Sequence, residues 1–143
     1  MSILTDEARR VIESGRLAHL STTNPDGSPQ VSLVWVGLDG DELVCGHMGM
    51  RQKLRNVQRD GRVALSLETG ARNAMGLDEY LVVHGTARVT EGGAAELLQR
   101  LAHVYLGPDV RFPPGSDDDP PPGYVLRITP ERLGGVGHWS SGE

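Results

Sequence analysis

The segment from residue 17 to residue 47 constrains the fold more than any other part of the chain. Strand-like runs at 17–23, 30–38 and 42–47 are separated by two turn sequences, Asn24-Pro25-Asp26-Gly27 and Asp39-Gly40-Asp41. Proline presets one backbone dihedral and glycine reaches the ones other residues avoid, so each interruption reads as a tight reversal. Three consecutive antiparallel strands follow from that punctuation. Two later runs rich in Val and Leu, 62–68 and 80–90, extend the sheet, and 124–128 adds a sixth strand.

Helices interrupt this pattern at three places. Residues 5–14 carry Leu4, Ala8, Val11 and Ile12 on one stripe, with Thr5 as N-cap and Gly15 as a stop. Residues 91–106 repeat Ala94, Leu97, Leu98, Leu101, Ala102 and Tyr105 at helical spacing. A short basic helix follows the third strand. Six strands and three helices predict a mainly β, α+β chain with an antiparallel sheet and flanking helices. At 143 residues the chain reads as one domain, 1–143, in which a sizeable ligand needs a second subunit to enclose it.

Two segments resist regular structure. Residues 107–123 hold six of the nine prolines and the acidic run Asp117-Asp118-Asp119, which suits either a lid or a solvated excursion. The tail, 134–143, reads as flexible, yet it carries His138 and Trp139, and a Trp so near a terminus is expected to pack against something.

The net charge of -5 argues against a nucleic-acid partner, since phosphate backbones reward broad basic surfaces. The single cysteine, Cys45, excludes an internal disulfide, the first residues form a polar helix, and no run is apolar enough to cross a bilayer. A cytoplasmic protein without a membrane partner is the expectation.

Basic charge is concentrated in Gly46-His47-Met48-Gly49-Met50-Arg51-Gln52-Lys53-Leu54-Arg55-Asn56. Glycines admit close backbone approach, and a helix start offers unpaired N–H groups at the positive end of its dipole. With Arg51, Lys53 and Arg55 added, the run describes a seat for a phosphate-like anion. The same residues also suit an ordinary solvated helix face.

Longer motifs bear on that choice. Leu17-Ala18-His19-Leu20-Ser21-Thr22 followed by Asp26-Gly27-Ser28-Pro29-Gln30-Val31, the run Lys53-Leu54-Arg55-Asn56-Val57-Gln58-Arg59-Asp60-Gly61-Arg62-Val63, and Ile128-Thr129-Pro130-Glu131-Arg132-Leu133 resemble the pyridoxamine 5'-phosphate oxidase-like split β-barrel family. The middle motif is similar to its deazaflavin-dependent members. The resemblance implies a six-stranded, FMN-binding type split barrel that forms a homodimer with two sites at the interface. It places Val31, Ser32, Leu33 and Val34 beside a flavin or deazaflavin ring, and His47, Met48, Gly49 and Met50 at its polar edge. Arg51, Lys53, Arg55 and Asn56 would hold the phosphate, and Trp139 would join Met48, Met50 and Met75 in an apolar pocket. FMN-using members carry a contiguous Arg-Lys pair, whereas Gln52 separates Arg51 from Lys53 here, which favours coenzyme F420 over FMN.

The implied chemistry is hydride transfer to a small planar unsaturated acceptor, with no nucleophile required. His138 and Tyr80 are candidate proton donors beside solvent. An FMN-dependent oxidoreductase and a non-catalytic F420 carrier are the alternatives. Cys45 and His47 lack a third metal ligand, the five histidines show no haem spacing, and no serine sits in a nucleophile elbow, so metal, haem and serine-hydrolase chemistry have no support.

Overall fold

The computed structural model describes residues 2–112 and 121–139. The short first helix, α1 (Asp6–Ile12), is capped by Thr5, whose hydroxyl accepts from the Ala8 backbone N at 3.1 Å, and it buries Ala8 and Ile12 completely. Strands β1 (Ala18–Thr23) and β2 (Pro29–Val34) form the expected hairpin. Its turn closes through Asn24 N to the Ser28 carbonyl at 2.8 Å, and Gly27 takes the left-handed φ of 88° that the reversal needs.

The run 30–38, read as one strand, is broken in two. After β2 the chain passes Trp35 and Val36 and enters β3 (Gly37–Asp39), which pairs with β4 (Glu42–His47). The basic helix α2 (Gln52–Arg59) then leads into β5 (Arg62–Arg72), β6 (Asp78–Glu91), α3 (Ala94–Tyr105) and β7 (Tyr124–Val136). Seven strands therefore stand where six were expected, because the alternation across 30–38 does not reveal a change of hydrogen-bonding partner.

That change closes the architecture. The strands order as β2-β1-β5-β6-β7-β4-β3, so the two edges of the sheet are β2 and β3, which only Trp35 and Val36 separate in sequence. A two-residue link cannot span a flat seven-stranded sheet whose neighbours lie about 4.8 Å apart. The sheet must curl until its edges come near each other, and the result is an antiparallel split β-barrel whose edge strands β2 and β3 do not pair. Leu20, Leu43, Leu65, Leu67, Leu81, Leu126 and Ile128 fill the interior, joined from α1 by Ile12 and from α2 by Leu54.

Two strands are longer than their sequences suggest. β5 and β6 are joined by a turn at Asn73, whose side chain accepts from the Met75 and Leu77 backbone N–H groups, and β5 runs on past an irregularity after Glu68 to Arg72, which pairs with Asp78. β7 continues beyond Ile128, where the sequence reading ended the strand, through Pro130 and into the expected tail at Gly134 and Gly135, to Val136. A register shift between His84 and Gly85 lets Gly85 face Pro130 and absorbs the missing N–H. Beyond the strand, Trp139 folds back into the core and donates from Nε1 to the Gly134 carbonyl at 2.9 Å. Residues 113–120 of the 107–123 segment, with the acidic run, and the last four residues lie outside the described residues, and with them the lid reading. Among the described residues no helix is long and apolar enough to cross a membrane.

Candidate functional site

The end of β2, the end of β4, α2 and α3 converge on a cleft of ≈ 230 Å³ lined by Leu33, Val34, Trp35, Gly46, His47, Lys53, Leu98 and Phe112. Lys53 reaches it because α2 turns its apolar face, Leu54 and Val57, onto the barrel. Its half-buried ammonium donates to the Ser32 hydroxyl at 3.2 Å. Burial depresses the Lys53 pKa, with Arg51 adding to the effect and Cys45 opposing it. No carboxylate pairs with this cation among the described residues.

The other basic residues divide into two sets. Arg59 donates to the Thr23 carbonyl and to Asn56, and Arg62 pairs with Asp60 at 2.8 Å, so both serve the fold. Arg51 and Arg55 are exposed and have no ion-pair partner among the described residues. The helix also begins without a side-chain cap, which leaves first-turn N–H groups available to an anion.

His47 stands at the cleft with its Nε2 buried and without a hydrogen-bond partner. Burial, reinforced by Lys53 and Arg51, lowers its pKa to about 4, so the ring is neutral near pH 7. An orphaned buried nitrogen is costly, and a ligand polar group would satisfy it. Cys45, directly before the cleft-lining Gly46 in β4, is fully buried with its thiol pushed up to about 12, and is inert.

Several residues assigned to the site from sequence occupy other places. Asn56 is fully buried, with its amide nitrogen given to Thr22 Oγ1 at 3.0 Å and Asn24 Oδ1 at 2.9 Å. Its carbonyl oxygen accepts from Gln52 at 2.8 Å and Arg59 at 3.3 Å, so it pins α2 to the first hairpin and has no group left for a phosphate. Trp139 belongs to the core and Met50 packs against it, while Met75 is exposed in the β5–β6 turn. Tyr80 lines a separate hollow with His19, Ser66 and Glu68, and His138 is exposed; neither lines the cleft. Met48 and Gly49 follow β4 directly, half-buried beside His47. Val31 and Leu33 point out of the barrel, both more than half exposed.

The cleft also recruits residues that sequence reasoning passed over: Trp35, Leu98 and Phe112. Trp35 sits at the break between β2 and β3, and Phe112 is the chain's one phenylalanine, placed at the start of an irregular segment. A larger hollow of ≈ 340 Å³ lies between α3 and strands β3, β4 and β7. There Arg127 is already paired with Asp39 at 2.8 Å and Glu42 at 3.5 Å, and Arg100 donates to the Leu38 carbonyl. The smaller cleft holds the unpaired cation and the orphaned nitrogen.

Comparison with known proteins agrees with the fold. A structure described as an F420 reductase superposes with a TM-score of 0.70 at 27% identity, covering 88% of this chain and 94% of that one. A conserved hypothetical protein, Rv2991, from Mycobacterium tuberculosis gives 0.71 at 26% identity, covering 96% and 91%. HupZ from Group A Streptococcus gives 0.62 at 18% identity, covering 92% and 94%, a likeness of fold alone. No curated protein matches the sequence. The family model described as pyridoxamine 5'-phosphate oxidase matches residues 4–137, and the chain therefore belongs to that family.

Proposed function

We propose that this chain is an F420-dependent oxidoreductase that reduces a small planar unsaturated acceptor. The observation that carries the reading is Lys53: a half-buried ammonium at a cleft, held among the described residues only by the neutral Ser32 hydroxyl, at the uncapped start of a helix that also carries the exposed guanidiniums of Arg51 and Arg55. Such a group is complementary to a phosphate. The orphaned Nε2 of His47 supplies the second test of fit, since a cofactor's polar edge would satisfy it. The F420 reductase neighbour and the Arg51-Gln52-Lys53 spacing support deazaflavin over FMN.

In this reading Lys53, Arg51 and Arg55 hold the phosphate. The neutral His47 ring, with the Met48 and Gly49 backbone, orients the polar edge of the ring system, and Val31, Ser32, Leu33 and Val34 lie beside it. The cofactor, when bound, supplies the hydride. The chain's own contribution is placement and a dry, cationic environment for the charge that develops on the acceptor.

A second copy of the chain completes the site in this reading. The cleft in one chain is smaller than pockets that enclose a drug-sized ligand, which run to roughly 300–1,000 Å³. Beside it the outward face of the barrel carries exposed Leu17, Val31 and Leu33, with half-buried Ala64 on β5 and Val82 on β6, where Ala64 faces His84 and Ser66 faces Val82. Such a face suits an isologous homodimer interface.

Fluorescence titration with F420 and with FMN tests the assignment. F420 is expected to bind, and Lys53→Ala is expected to weaken it by about 1.5–3 kcal/mol, roughly 10- to 150-fold, with unfolding stability unchanged. A protein that isolates yellow and prefers FMN would replace the deazaflavin assignment with a flavin one. Unaltered affinity in the variant would remove Lys53 from the phosphate seat.

A further inference from the structure

The apolar side of the cleft is built by contacts that the cofactor reading does not use. Trp35 stacks on Tyr105 with ring centroids 5.3 Å apart and planes 13° from parallel. Phe112 leans on the same indole at 5.1 Å and 56°. Tyr105 is fixed by its hydroxyl, which accepts from Val36 N at 3.0 Å and donates to the Arg16 carbonyl at 2.8 Å. Phe112 belongs to no helix or strand, so its place depends on a side-chain clip.

Gln99, on α3, is that clip. Its Oε1 accepts from the Phe112 backbone N at 2.9 Å, and its Nε2 donates to the Val110 carbonyl at 2.7 Å. One amide thus holds both ends of residues 110–112 against the helix, and the Phe112 ring is carried onto Trp35. The sequence shows none of this, because Gln99 reads as a polar position on an amphipathic helix.

We propose that Gln99 is a positioning residue that holds Phe112 against Trp35 as an aromatic wall of the cleft, and that this wall selects flat conjugated-ring acceptors over aliphatic ones. The inference rests on the cleft being the redox site, and it narrows the acceptor class of that site. With Leu33, Val34 and Leu98 the wall gives a mostly apolar enclosure in which Lys53 is the one cation among the described residues. A flat ring gains stacking there that a puckered ring of similar polarity does not, and aromatic pairs of this kind change affinity by roughly 2- to 10-fold beyond simple area burial.

The test is equilibrium calorimetry on the full chain, with oxidised cofactor bound, using 1,4-naphthoquinone and 2-cyclohexen-1-one as probes. The wild type is expected to bind the naphthoquinone at least about tenfold more tightly. Phe112→Ala and Gln99→Leu should each reduce that preference about fivefold. Phe112→Leu, which keeps apolar bulk without a ring face, should behave like Phe112→Ala. Gln99→Glu keeps the acceptor for Phe112 N and should recover part of the preference. Equal binding of the two probes by the wild type, or a preference that survives Phe112→Ala, overturns the proposal. A preference lost in Phe112→Ala but intact in Gln99→Leu overturns the role of Gln99. Should the protein take up neither F420 nor FMN, the cofactor reading fails separately, and the same titrations on the cofactor-free chain still decide whether the wall selects flat rings.

Discussion

Asn56→Ala is expected to cost the fold rather than the site. Four hydrogen bonds converge on this fully buried side chain, and the two that matter most run from its amide nitrogen to Thr22 and Asn24 in the first hairpin. Each contributes about 0.5–1.5 kcal/mol net, because deletion leaves its partner poorly solvated beneath the helix. The bonds from Gln52 and Arg59 come from exposed residues that regain water, so they add only tenths of that. The space vacated adds about 1 kcal/mol, giving a total of about 2–4 kcal/mol. For a chain of this size that corresponds to a fall in Tm of about 6–12 °C. Urea unfolding followed by circular dichroism measures the first quantity and a thermal scan the second. Cofactor affinity, measured below the transition, is expected to change by less than about threefold, the scale of a loosened α2 rather than of a lost charge-assisted contact. The reasoning is refuted if the variant unfolds within about 0.5 kcal/mol of the parent while losing its cofactor, since Asn56 would then contact the ligand as its place in the basic run suggests.

His47 predicts an acid limb. Its pKa of about 4 in the folded chain lies below the ordinary 6.5, so as pH falls the unfolded chain takes up a proton that the folded chain refuses. Stability is complete above pH 6.5, declines by about 3 kcal/mol down to pH 4 and levels below; His47→Gln should flatten that slope in urea unfolding at pH 7, 5.5 and 4.5. Gly135→Ala should cost more than about 2 kcal/mol, because φ is 94° and a Cβ would lie 2.2 Å from the Tyr80 carbonyl oxygen. Gly27→Ala, at φ 88° in open space, should cost only about 1 kcal/mol, and equal costs in denaturant titration would contradict the packing argument. Val31→Lys should shift sedimentation of the chain toward the monomer and weaken cofactor binding with it; a variant that sediments and binds like the parent would exclude the outward face as the dimer interface.

Local chemistry made much of this protein legible before the structure. The turn at Asn24 to Gly27, the stripe of Ala8 and Ile12, the helical spacing from Ala94 to Tyr105 and the basic start of α2 all act over a few residues, where propensity and periodicity operate. The cation at Lys53 was legible for the same reason.

Pairing and convergence were decided at longer range. The break at Trp35 and Val36 exists because β2 and β3 serve opposite edges of one sheet, and β7 runs past Pro130 because β6 shifts register to receive it. Asn56 and Trp139 changed from ligand contacts to supports once Thr22, Asn24 and Gly134 arrived beside them. Phe112 entered the cleft through Gln99, 13 residues earlier in the chain. A sequence records which side chains can donate, stack or carry charge. Whether those capacities are spent inside the fold or left facing a ligand depends on neighbours that only the curled sheet brings within hydrogen-bond reach.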